Sequence, residues 1–357
     1  MKKFSKAAVI GRFNPVMHNG HVSMVRKGLE VAEVVYIVIG SANKFPDVKN
    51  PVPINHREHM VRSVLATKFT QQERNRVRVV TVNDYKYNDE KWKTEVRFAI
   101  QERRGDTITM VGFEKDQDSY WLHEFGWEHT PVDPYMVDFL GRNVPMSSTF
   151  IRDAWLRNEK WPLVSAFPKA SIDFLAKYTW HDDHSMRSEF LRLHEERLMW
   201  DKELKKFENY PYREALNCCT ADAVVLCNNH VLLIERKFHP GKGAWALPGG
   251  HKEEHETFRY CALRELEEEV KLKVPAKVIR GSIRGSQLFD DPNRSPVFSK
   301  PTVAQFIVLQ PDADGKLPKV KADSDAKQAK WVPLHEIKRN PILFDDHFDI
   351  ITHFIGL

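Results

Sequence analysis

The sequence predicts an α/β protein in two parts, a Rossmann-like doubly wound domain followed by an α+β domain. Short runs rich in Val and Ile alternate with helix-length segments over the first 110 residues, and the pattern changes to strands around one strong helix after residue 210. A length of 357 residues, 42% of them hydrophobic, also exceeds the needs of one ordinary core. We predict a first domain at 1–180, a helical linker at 181–210 and a second domain at 211–357.

The first domain begins with the order of a βαβ unit. Two strand-like runs, 7–10 and 34–39, flank a helix-length segment at 21–32. The alternation continues with helices expected at about 56–68 and 91–103, strands at 77–82 and 107–111, and two later helices that open at Ser147 and cover about 168–178. Parallel strands need crossover helices of this kind, so a doubly wound parallel sheet follows.

The linker is mostly charged but carries an apolar stripe. Its large hydrophobic residues recur at three- and four-residue steps, interrupted by Arg197: they are Phe190, Leu193, Trp200, Leu204 and Phe207. This spacing predicts a long helix docked by one face. A coiled-coil dimer seam is the alternative, which leaves a homo-oligomer open.

The second domain opens with a predicted hairpin. Ala221–Cys227 and Val231–Glu235 are strand-like and are joined by Asn228-Asn229-His230. The strong helix covers about Thr257–Val270, between strand-like segments at Ala276–Arg280 and Ala304–Leu309.

Composition excludes several classes of protein. The formal net charge of +5 is spread along the chain without a basic block, so we expect small-molecule partners and no nucleic acid. No apolar run approaches the roughly 18 residues of a membrane span, and no signal peptide is expected, so we predict a cytoplasmic protein without membrane contact. The four cysteines form no Cys-x-x-Cys pair, and we expect them to be small core residues.

The segment from Gly11 to His21 lies between the first strand and the first helix, where open α/β sheets bind ligands. His18 and His21 are three residues apart across a helix N-terminus, so both imidazoles can lie beside exposed backbone N–H groups. Gly20 removes a side chain that would obstruct a phosphate. The segment therefore predicts an anion site.

A second anion site is predicted at the start of a later helix. Ser147, Ser148 and Thr149 suit an N-cap, and the planar fork of Arg152 can meet a phosphate oxygen. In this order, the two motifs resemble the nucleotidylyltransferase superfamily, which has a His-x-Gly-His element after the first strand and a late Ser/Thr-rich segment ending in Arg.

Within that superfamily, residues 5–180 look most like archaeal-type nicotinamide mononucleotide adenylyltransferases. The supporting residues include Gly40-Ser41-Ala42, Asn50-Pro51 and Asp84-Tyr85. The resemblance implies that Trp92 stacks on the nicotinamide ring, with a core position as the alternative. It also implies that Arg57 contacts nicotinamide mononucleotide, although the sequence of Val52–His56 departs from the family's usual sequence here. It implies ATP binding by Gly11, Arg12, Phe13, Asn14, Gly20, Ser147, Ser148 and Thr149.

The implied reaction is attack by the 5′-phosphate of nicotinamide mononucleotide on the α-phosphorus of ATP, which yields NAD and pyrophosphate. His18, His21, Arg152 and Mg²⁺ would align the reactants and stabilise charge. Alignment alone can lower a barrier by roughly 7–11 kcal/mol. A class I aminoacyl-tRNA synthetase shares the His-x-Gly-His element, but its Lys-rich second signature and a basic tRNA-binding segment are not found in the sequence.

An acidic helix after Gly249-Gly250 forms the second constellation. On a helix, Glu265, Glu268 and Glu269 lie at i, i+3 and i+4, so three carboxylates share one face. Such crowding suits a hard cation, Mg²⁺ or Mn²⁺, while a solvated acidic face is the alternative. With Glu256 and Arg264 at their spacing, the segment resembles the Nudix hydrolase box.

The Nudix resemblance implies metal-assisted hydrolysis of a diphosphate, with substrate contacts from Gly249, Gly250, Arg264 and Arg294. Lys271 replaces a glycine of the box, which puts the helix end in doubt. The general base is open among Asp290, Asp291, Asp323 and Asp325.

The pairing of the two domains resembles bifunctional adenylyltransferase–Nudix proteins, so ADP-ribose, cleaved to AMP and ribose 5-phosphate, is the implied substrate. Two alternatives are kept. The same folds could take another phosphorylated acceptor and another nucleoside diphosphate compound, or the second domain could be a sensor that binds a metabolite without hydrolysing it.

Overall fold

The chain folds into two compact units. The structure, a computed structural model, describes residues 3–114, 122–139, 142–159, 164–180, 184–209, 218–295, 298–323, 325–340 and 342–356. The first unit comprises residues 1–42 and 46–198, and the second comprises 43–45 and 199–357. The change of unit thus falls inside the predicted linker, whereas the assignment of 43–45 to the second unit was not predicted.

The first unit contains a five-stranded parallel sheet, so the predicted Rossmann-like fold is confirmed. The strand order is β3-β2-β1-β4-β5, with strands β1 (Phe4–Gly11), β2 (Ala32–Ile39), β3 (Val77–Thr81), β4 (Ile108–Gly112) and β5 (Glu128–Pro131). The central strands are buried runs of Val, Ile and Ala, as expected for a sheet covered on both faces. The edge strand β5 was missed because its four residues contain no apolar run.

The first four helices of this unit connect strands of the sheet, and the next two follow the strands in the chain. They are α1 (Asn19–Val31), α2 (Ile54–Lys68), α3 (Gln71–Arg74), α4 (Asp89–Ala99), α5 (Ser148–Leu156) and α6 (Lys169–Trp180), and a two-stranded ribbon joins β6 (Met136–Phe139) to β7 (Arg142–Pro145). Helix α1 buries Val22, Val25 and Leu29, which follow the helical repeat. The sequence predicts each crossover helix to within a few residues, apart from the single turn α3.

The predicted linker contains a long helix, α7 (His184–Lys206). Phe190, Leu193 and Trp200 of the apolar stripe are buried, which agrees with docking by one face. Arg197, which interrupts the apolar stripe, forms an ion pair: its guanidinium lies 3.2 Å from the carboxylate of Asp153. Its charge is therefore paired within the protein.

The second unit contains a seven-stranded mixed sheet. Its strands are β8 (Thr220–Cys227), β9 (His230–Arg236), β10 (Trp245–Ala246), β11 (Gly249–His251), β12 (Ile283–Phe289), β13 (Thr302–Leu309) and β14 (Ala326–Pro333). The predicted hairpin is present: Cys227 pairs with His230, and both turn residues, Asn228 and Asn229, have positive φ.

Four helices pack around this sheet: α8 (Phe258–Glu269), α9 (Ala276–Gly281), α10 (Leu334–Arg339) and α11 (His347–Ile355). The strand predicted at Ala276–Arg280 is wrong, because these residues form α9. Pro275 precedes the helix with a preset φ, and five residues are too few for the apolar spacing to distinguish a strand from a helix.

Within the described ranges, no helix is both long and apolar enough to cross a membrane. All four cysteines are free; Cys227 and Cys261 are buried as expected, whereas Cys218 and Cys219 are partly exposed.

Candidate active sites

His18 and His21 meet at the N-terminus of α1, just beyond the carboxyl end of β1. His18 is the N-cap residue, and its ring stacks on that of His21 with centroids 3.7 Å apart. A Cβ atom at Gly20 would lie 3.0 Å from the His18 ring. Gly20 therefore makes room for an imidazole, which is a different use of the glycine from the phosphate clearance that the sequence suggests.

Both imidazoles are neutral in this setting. Burial lowers the pKa of His18 to about 4, and burial together with the neighbouring His18 lowers the pKa of His21 well below its usual value. The Nδ1 atom of His18 is buried and has no hydrogen-bond partner. The pair therefore offers hydrogen-bonding atoms to a ligand and carries no fixed charge.

The second predicted motif lies against the first. Ser148 begins α5, and its Oγ is 3.1 Å from Nε2 of His18. Ser147 occupies the N-cap position, but its hydroxyl makes no capping hydrogen bond, and Thr149 is exposed. The N-termini of α1 and α5, 130 residues apart in sequence, thus lie side by side. Both ends favour negative charge.

Two arginines add positive charge to this site. Arg152 is partly buried and donates to the carbonyl of Lys49 at 3.1 Å, while its buried Nε lies 3.5 Å from Oδ1 of Asp153. Burial lowers the pKa of Arg152, and the nearby positive charge of the exposed Arg12 lowers it further against the opposite effect of Asp153. Like charges brought together in this way favour an anionic ligand.

The loop after β1 is shaped by Phe13 and Asn14. Phe13 has a positive φ of 50° and packs on His21, with ring centroids 4.8 Å apart, while a Cβ atom at Gly11 would lie 3.4 Å from the Phe13 ring. Asn14 Oδ1 accepts a hydrogen bond from the backbone of Val52 at 3.2 Å, and its Nδ2 is buried without a partner. Asn14 thus keeps a free donor for a ligand.

The structure corrects the role expected for Arg57, whose side chain is only 1% exposed. Its guanidinium donates to the backbone carbonyls of Val52, Arg12, Gly40 and Ser41 at 2.7–2.9 Å. Four of its five N–H groups are therefore used inside the protein. Arg57 holds the loops of the site together and has one N–H group left beyond these four hydrogen bonds.

Trp92 lies on α4 and combines features of both alternatives. It is partly buried against the apolar cluster beneath the sheet and makes an edge contact with Phe125, with centroids 5.3 Å apart. The remaining exposure leaves an indole surface for a flat cationic ring.

In the second unit, the two glycines of the box lie directly against its glutamates. The backbone N–H of Gly249 donates to Oε2 of the buried Glu269 at 3.0 Å. A Cβ atom at Gly250 would lie 2.4 Å from Oε1 of Glu265. Any side chain at Gly250 would thus displace this carboxylate.

Arg264 is an organising residue, which corrects its predicted contact with substrate. Its guanidinium donates to Glu256 at 2.8 and 3.1 Å, to Glu265 at 2.9 Å and to Glu268 at 3.0 Å. The hydrogen bonds from Arg264 are the main cause that lowers the pKa of Glu256 to about 2. Arg264 therefore fixes the carboxylates of α8 from one side.

The carboxylates of α8 fit a divalent cation by charge. Burial raises the pKa of Glu269 to about 8, with a further contribution from Glu265, and burial also raises the pKa of Glu265. Two carboxyl groups that resist ionisation together are stabilised by a shared cation. Among the described side chains, the three glutamates do not all come within 4.8 Å of one another, since Arg264 holds Glu265 and Glu268.

Arg294 also differs from its predicted role as a substrate contact. It is 6% exposed and pairs with Asp346 through two hydrogen bonds of 2.8 and 3.0 Å. A third hydrogen bond, of 2.7 Å, goes to the carbonyl of Lys300. Three of the five N–H groups of Arg294 are therefore used inside the protein, two of them in a buried ion pair.

Lys271 does not disturb the end of α8. The described residues with positive φ do not include Lys271, and the preceding Val270 caps the helix in an extended conformation. Lys271 pairs with Asp323 at 2.7 Å, and the backbone N–H of Asp323 donates to the carbonyl of Glu269. Among the four aspartates left open as general base, Asp323 thus lies beside the box.

Asp222, which lies in β8 behind the glycine loop, is not among the residues predicted from the sequence. Gly249 pairs with Asp222 across the sheet, and a Cβ atom at Gly249 would lie 2.3 Å from Oδ1 of Asp222. Thr302 donates to its other carboxylate oxygen at 2.6 Å. The available signal was an acidic residue within an otherwise apolar strand, which is costly unless it is paired.

Fold and sites together define the class of protein. A Rossmann-like unit with an anion site at two helix N-termini is joined to a unit whose glycine loop and acidic helix suit a divalent cation. Comparison with known proteins agrees: residues 8–154 match the cytidylyltransferase-like family, and residues 219–354 match the NUDIX domain.

Two curated relatives each match one half of the chain. A nicotinamide/nicotinic acid mononucleotide adenylyltransferase of Acinetobacter baylyi is 32% identical over 181 residues, which are 50% of this chain and 88% of that protein. An ADP-ribose pyrophosphatase of Methanocaldococcus jannaschii is 33% identical over 155 residues, which are 43% of this chain and 83% of that protein.

Solved structures match the whole chain. A bifunctional NMN adenylyltransferase/ADP ribose pyrophosphatase from Francisella tularensis is 28% identical, with a TM-score of 0.84 and coverage of 99% of both chains. The same Francisella protein in complex with AMP and a Mn ion gives a TM-score of 0.82. The chain belongs to the family of bifunctional nicotinamide mononucleotide adenylyltransferase/ADP-ribose pyrophosphatases.

Proposed function

We propose that the two units catalyse two reactions of NAD metabolism. The first unit transfers AMP from ATP to nicotinamide mononucleotide and releases pyrophosphate, and the second hydrolyses ADP-ribose to AMP and ribose 5-phosphate. The names of the relatives that match each half support this assignment. The observation that carries it is the contact of 3.1 Å between His18 and Ser148, which joins two helix N-termini into one anion site.

In adenylyl transfer, the 5′-phosphate oxygen of nicotinamide mononucleotide attacks the α-phosphorus of ATP, and the bond to the bridging oxygen of pyrophosphate breaks. The neutral His18 and His21 donate hydrogen bonds to phosphate oxygens, while Arg12 and Arg152 balance their charge. These groups align two anions that repel each other in water, and no covalent enzyme intermediate is needed.

Acceptor and nucleotide contacts complete this proposal. Trp92 stacks on the positively charged nicotinamide ring, which an indole face attracts. The loop from Gly11 to Asn14, with Gly20 and the Ser147–Thr149 segment, lines the ATP phosphates. The unpartnered Nδ2 of Asn14 is the donor that supports this placement.

In the second unit, Glu265, Glu268 and Glu269 would hold Mg²⁺ or Mn²⁺. When bound, such an ion neutralises the diphosphate and lowers the pKa of water. Gly249 and Gly250 leave room for the carboxylates of Glu269 and Glu265, and Arg264 fixes Glu265 and Glu268. Of the four candidate aspartates, we propose Asp323 as the proton acceptor, because its backbone N–H donates to the carbonyl of Glu269.

The test uses the purified full chain. Incubated with nicotinamide mononucleotide, ATP and Mg²⁺, it should form NAD and pyrophosphate in equal amounts; incubated with ADP-ribose and Mg²⁺ or Mn²⁺, it should form AMP and ribose 5-phosphate. His18→Ala should lose only the synthesis, and Glu269→Gln should lose only the hydrolysis. Each variant is therefore the folding control for the other. Absence of NAD in the wild-type reaction would reject the assignment of the first unit.

A panel of substrates separates the remaining alternatives. Other phosphorylated acceptors and other nucleoside diphosphate compounds should react more slowly than nicotinamide mononucleotide and ADP-ribose. A second unit that binds ADP-ribose without cleaving it, under conditions in which the first unit is active, would establish a sensor in place of a hydrolase.

A further inference from the structure

Three potential metal ligands other than His18 and His21 converge in the first unit. Glu114 follows β4 by two residues, His129 lies within β5, and His123 precedes β5. One ligand atom from each of the three side chains lies within 4.8 Å of the other two, which holds for no other trio of His, Cys, Asp or Glu in the described part of the chain.

One pair of these ligand atoms is close to the separation found around a bound ion. Nε2 of His123 is 3.6 Å from Oε1 of Glu114, and the rings of His123 and His129 meet edge to face with centroids 5.1 Å apart. Two ligands held at about 2.0–2.1 Å in a tetrahedral zinc site are about 3.3–3.4 Å apart. The first pair needs almost no movement to reach that separation.

The burial of the three residues suits an ion that enters from solvent. The side chains of His123 and Glu114 are 53% and 60% exposed, so both can turn toward an ion at little cost. His129 is the anchor: its Nε2 is buried and has no hydrogen-bond partner. A buried ring nitrogen without a partner is costly, and a coordinated cation would remove that cost.

The ligand types distinguish this group from the glutamates of α8. Two imidazoles and one carboxylate favour Zn²⁺ and related transition metals, whereas carboxylates alone favour Mg²⁺ or Mn²⁺. Three protein ligands leave the fourth position of a tetrahedral ion to water. The two groups should therefore be separable by the choice of metal.

We propose that Glu114, His123 and His129 form a binding site for a zinc-class divalent cation in the first unit. The ion joins the residue that follows β4 to the edge strand β5 and to the segment that precedes it. Because the folded first unit binds the ion and the unfolded chain lacks the site, binding stabilises this unit, and the ion has no part in either reaction.

The experiment titrates Co²⁺, a spectroscopic substitute for Zn²⁺, into the full-length protein in excess Mg²⁺. Wild type should bind one equivalent, with the visible absorption of nitrogen-ligated tetrahedral cobalt, and added Zn²⁺ should abolish that absorption. His123→Ala and His129→Ala should each lose the absorption, and Glu114→Gln should weaken binding at least tenfold. His59→Ala, which removes an exposed histidine of α2, is the matched control and should behave as wild type.

A second variant separates this site from the Nudix glutamates. Glu265→Gln/Glu269→Gln should keep the cobalt absorption in full. Loss of the absorption in that variant, or its retention in His123→Ala/His129→Ala, would overturn the proposal, as would a wild-type protein that binds no Co²⁺. NAD synthesis by each variant reports that the first unit is folded.

Discussion

The imidazoles of His18 and His21 stack with ring centroids 3.7 Å apart and with an interplanar angle of 26°. Two protonated rings could not share this arrangement, because their charges would repel each other at short range inside the protein. In the proposed reaction, the site at the N-terminus of α1 would therefore hold its anionic ligands with neutral donors and leave the charge balance to Arg12 and Arg152.

The neutral histidine pair predicts that stability depends on pH. The pKa of His18 is about 4 in the folded protein and 6.5 in the unfolded chain, so the unfolded chain binds more protons between these values. The contribution of the neutral His18 to the free energy of unfolding is complete above pH 6.5 and is lost as the pH falls toward 4. This contribution is at most about 3 kcal/mol. The temperature at the midpoint of thermal unfolding should decrease when the pH is lowered from 7.5 to 5.5. This decrease should be smaller in His18→Asn. An equal fall in both proteins would contradict this, and His59→Asn is the control.

The hydroxyl of Ser148 should matter for NAD synthesis. Ser148→Ala removes the group 3.1 Å from Nε2 of His18, so the orientation of the ring is lost. A hydrogen bond of about 1–1.5 kcal/mol corresponds to a fall in kcat of roughly tenfold. Steady-state NAD formation measures it. Ser63→Ala, which removes a hydroxyl bonded to the backbone of its own helix α2, should retain wild-type kcat.

Binding of a divalent cation to the second unit should release a proton below pH 8. Because the pKa of Glu269 is about 8 without a cation, its carboxyl is mainly protonated at pH 7 and must ionise to bind. The apparent affinity for Mn²⁺ should rise by up to about tenfold per pH unit between pH 6 and 8 and then level off. Calorimetry in two buffers of different ionisation enthalpy counts the protons.

The control for this prediction lies on the same helix. Glu269→Gln should bind Mn²⁺ more weakly and without the proton release, whereas Glu267→Gln, at an exposed position, should match wild type. Proton release that persists in Glu269→Gln would assign it to another group.

Arg264 should act on hydrolysis through the carboxylates that it holds. Arg264→Lys keeps the charge but cannot bridge Glu256, Glu265 and Glu268 at once, because an ammonium lacks the planar fork. ADP-ribose hydrolysis should fall about 10–100-fold, with NAD synthesis unchanged. Arg259→Lys, at an exposed position of α8, should leave both rates unchanged, and equal losses in the two variants would refute a specific role for Arg264.

Arg57 should contribute mainly to stability. Arg57→Gln leaves several buried carbonyl groups without donors, at about 1–3 kcal/mol each, so the free energy of unfolding should fall by at least about 3 kcal/mol. Chemical denaturation measures this loss. Arg62→Gln, on the exposed side of α2, should change stability by less than about 1 kcal/mol. If the Arg57→Gln protein is stable and only its KM for nicotinamide mononucleotide is raised, Arg57 contacts this ligand as first predicted.

Much of the fold could be predicted from the periodicity of hydrophobic residues in the sequence. The alternation of Val- and Ile-rich runs with amphipathic segments identified the central strands and crossover helices, because burial on both faces or on one face leaves a repeat in the sequence. The edge strand β5 and the short helix α9 were not predicted, because four to six residues are too few to show a hydrophobic repeat. In addition, an edge strand need not be apolar.

By itself the sequence determined which chemical groups are present and where along the chain they fall: the histidines of α1, the Ser-Arg segment of α5 and the glutamates of α8. Only the tertiary structure decided what each arginine binds. Arg57, Arg264 and Arg294 carry the same fork that suits a phosphate, yet they are taken by carbonyls and carboxylates of the protein itself. A guanidinium binds any properly placed oxygen, and which oxygen is nearest depends on contacts between segments far apart in sequence.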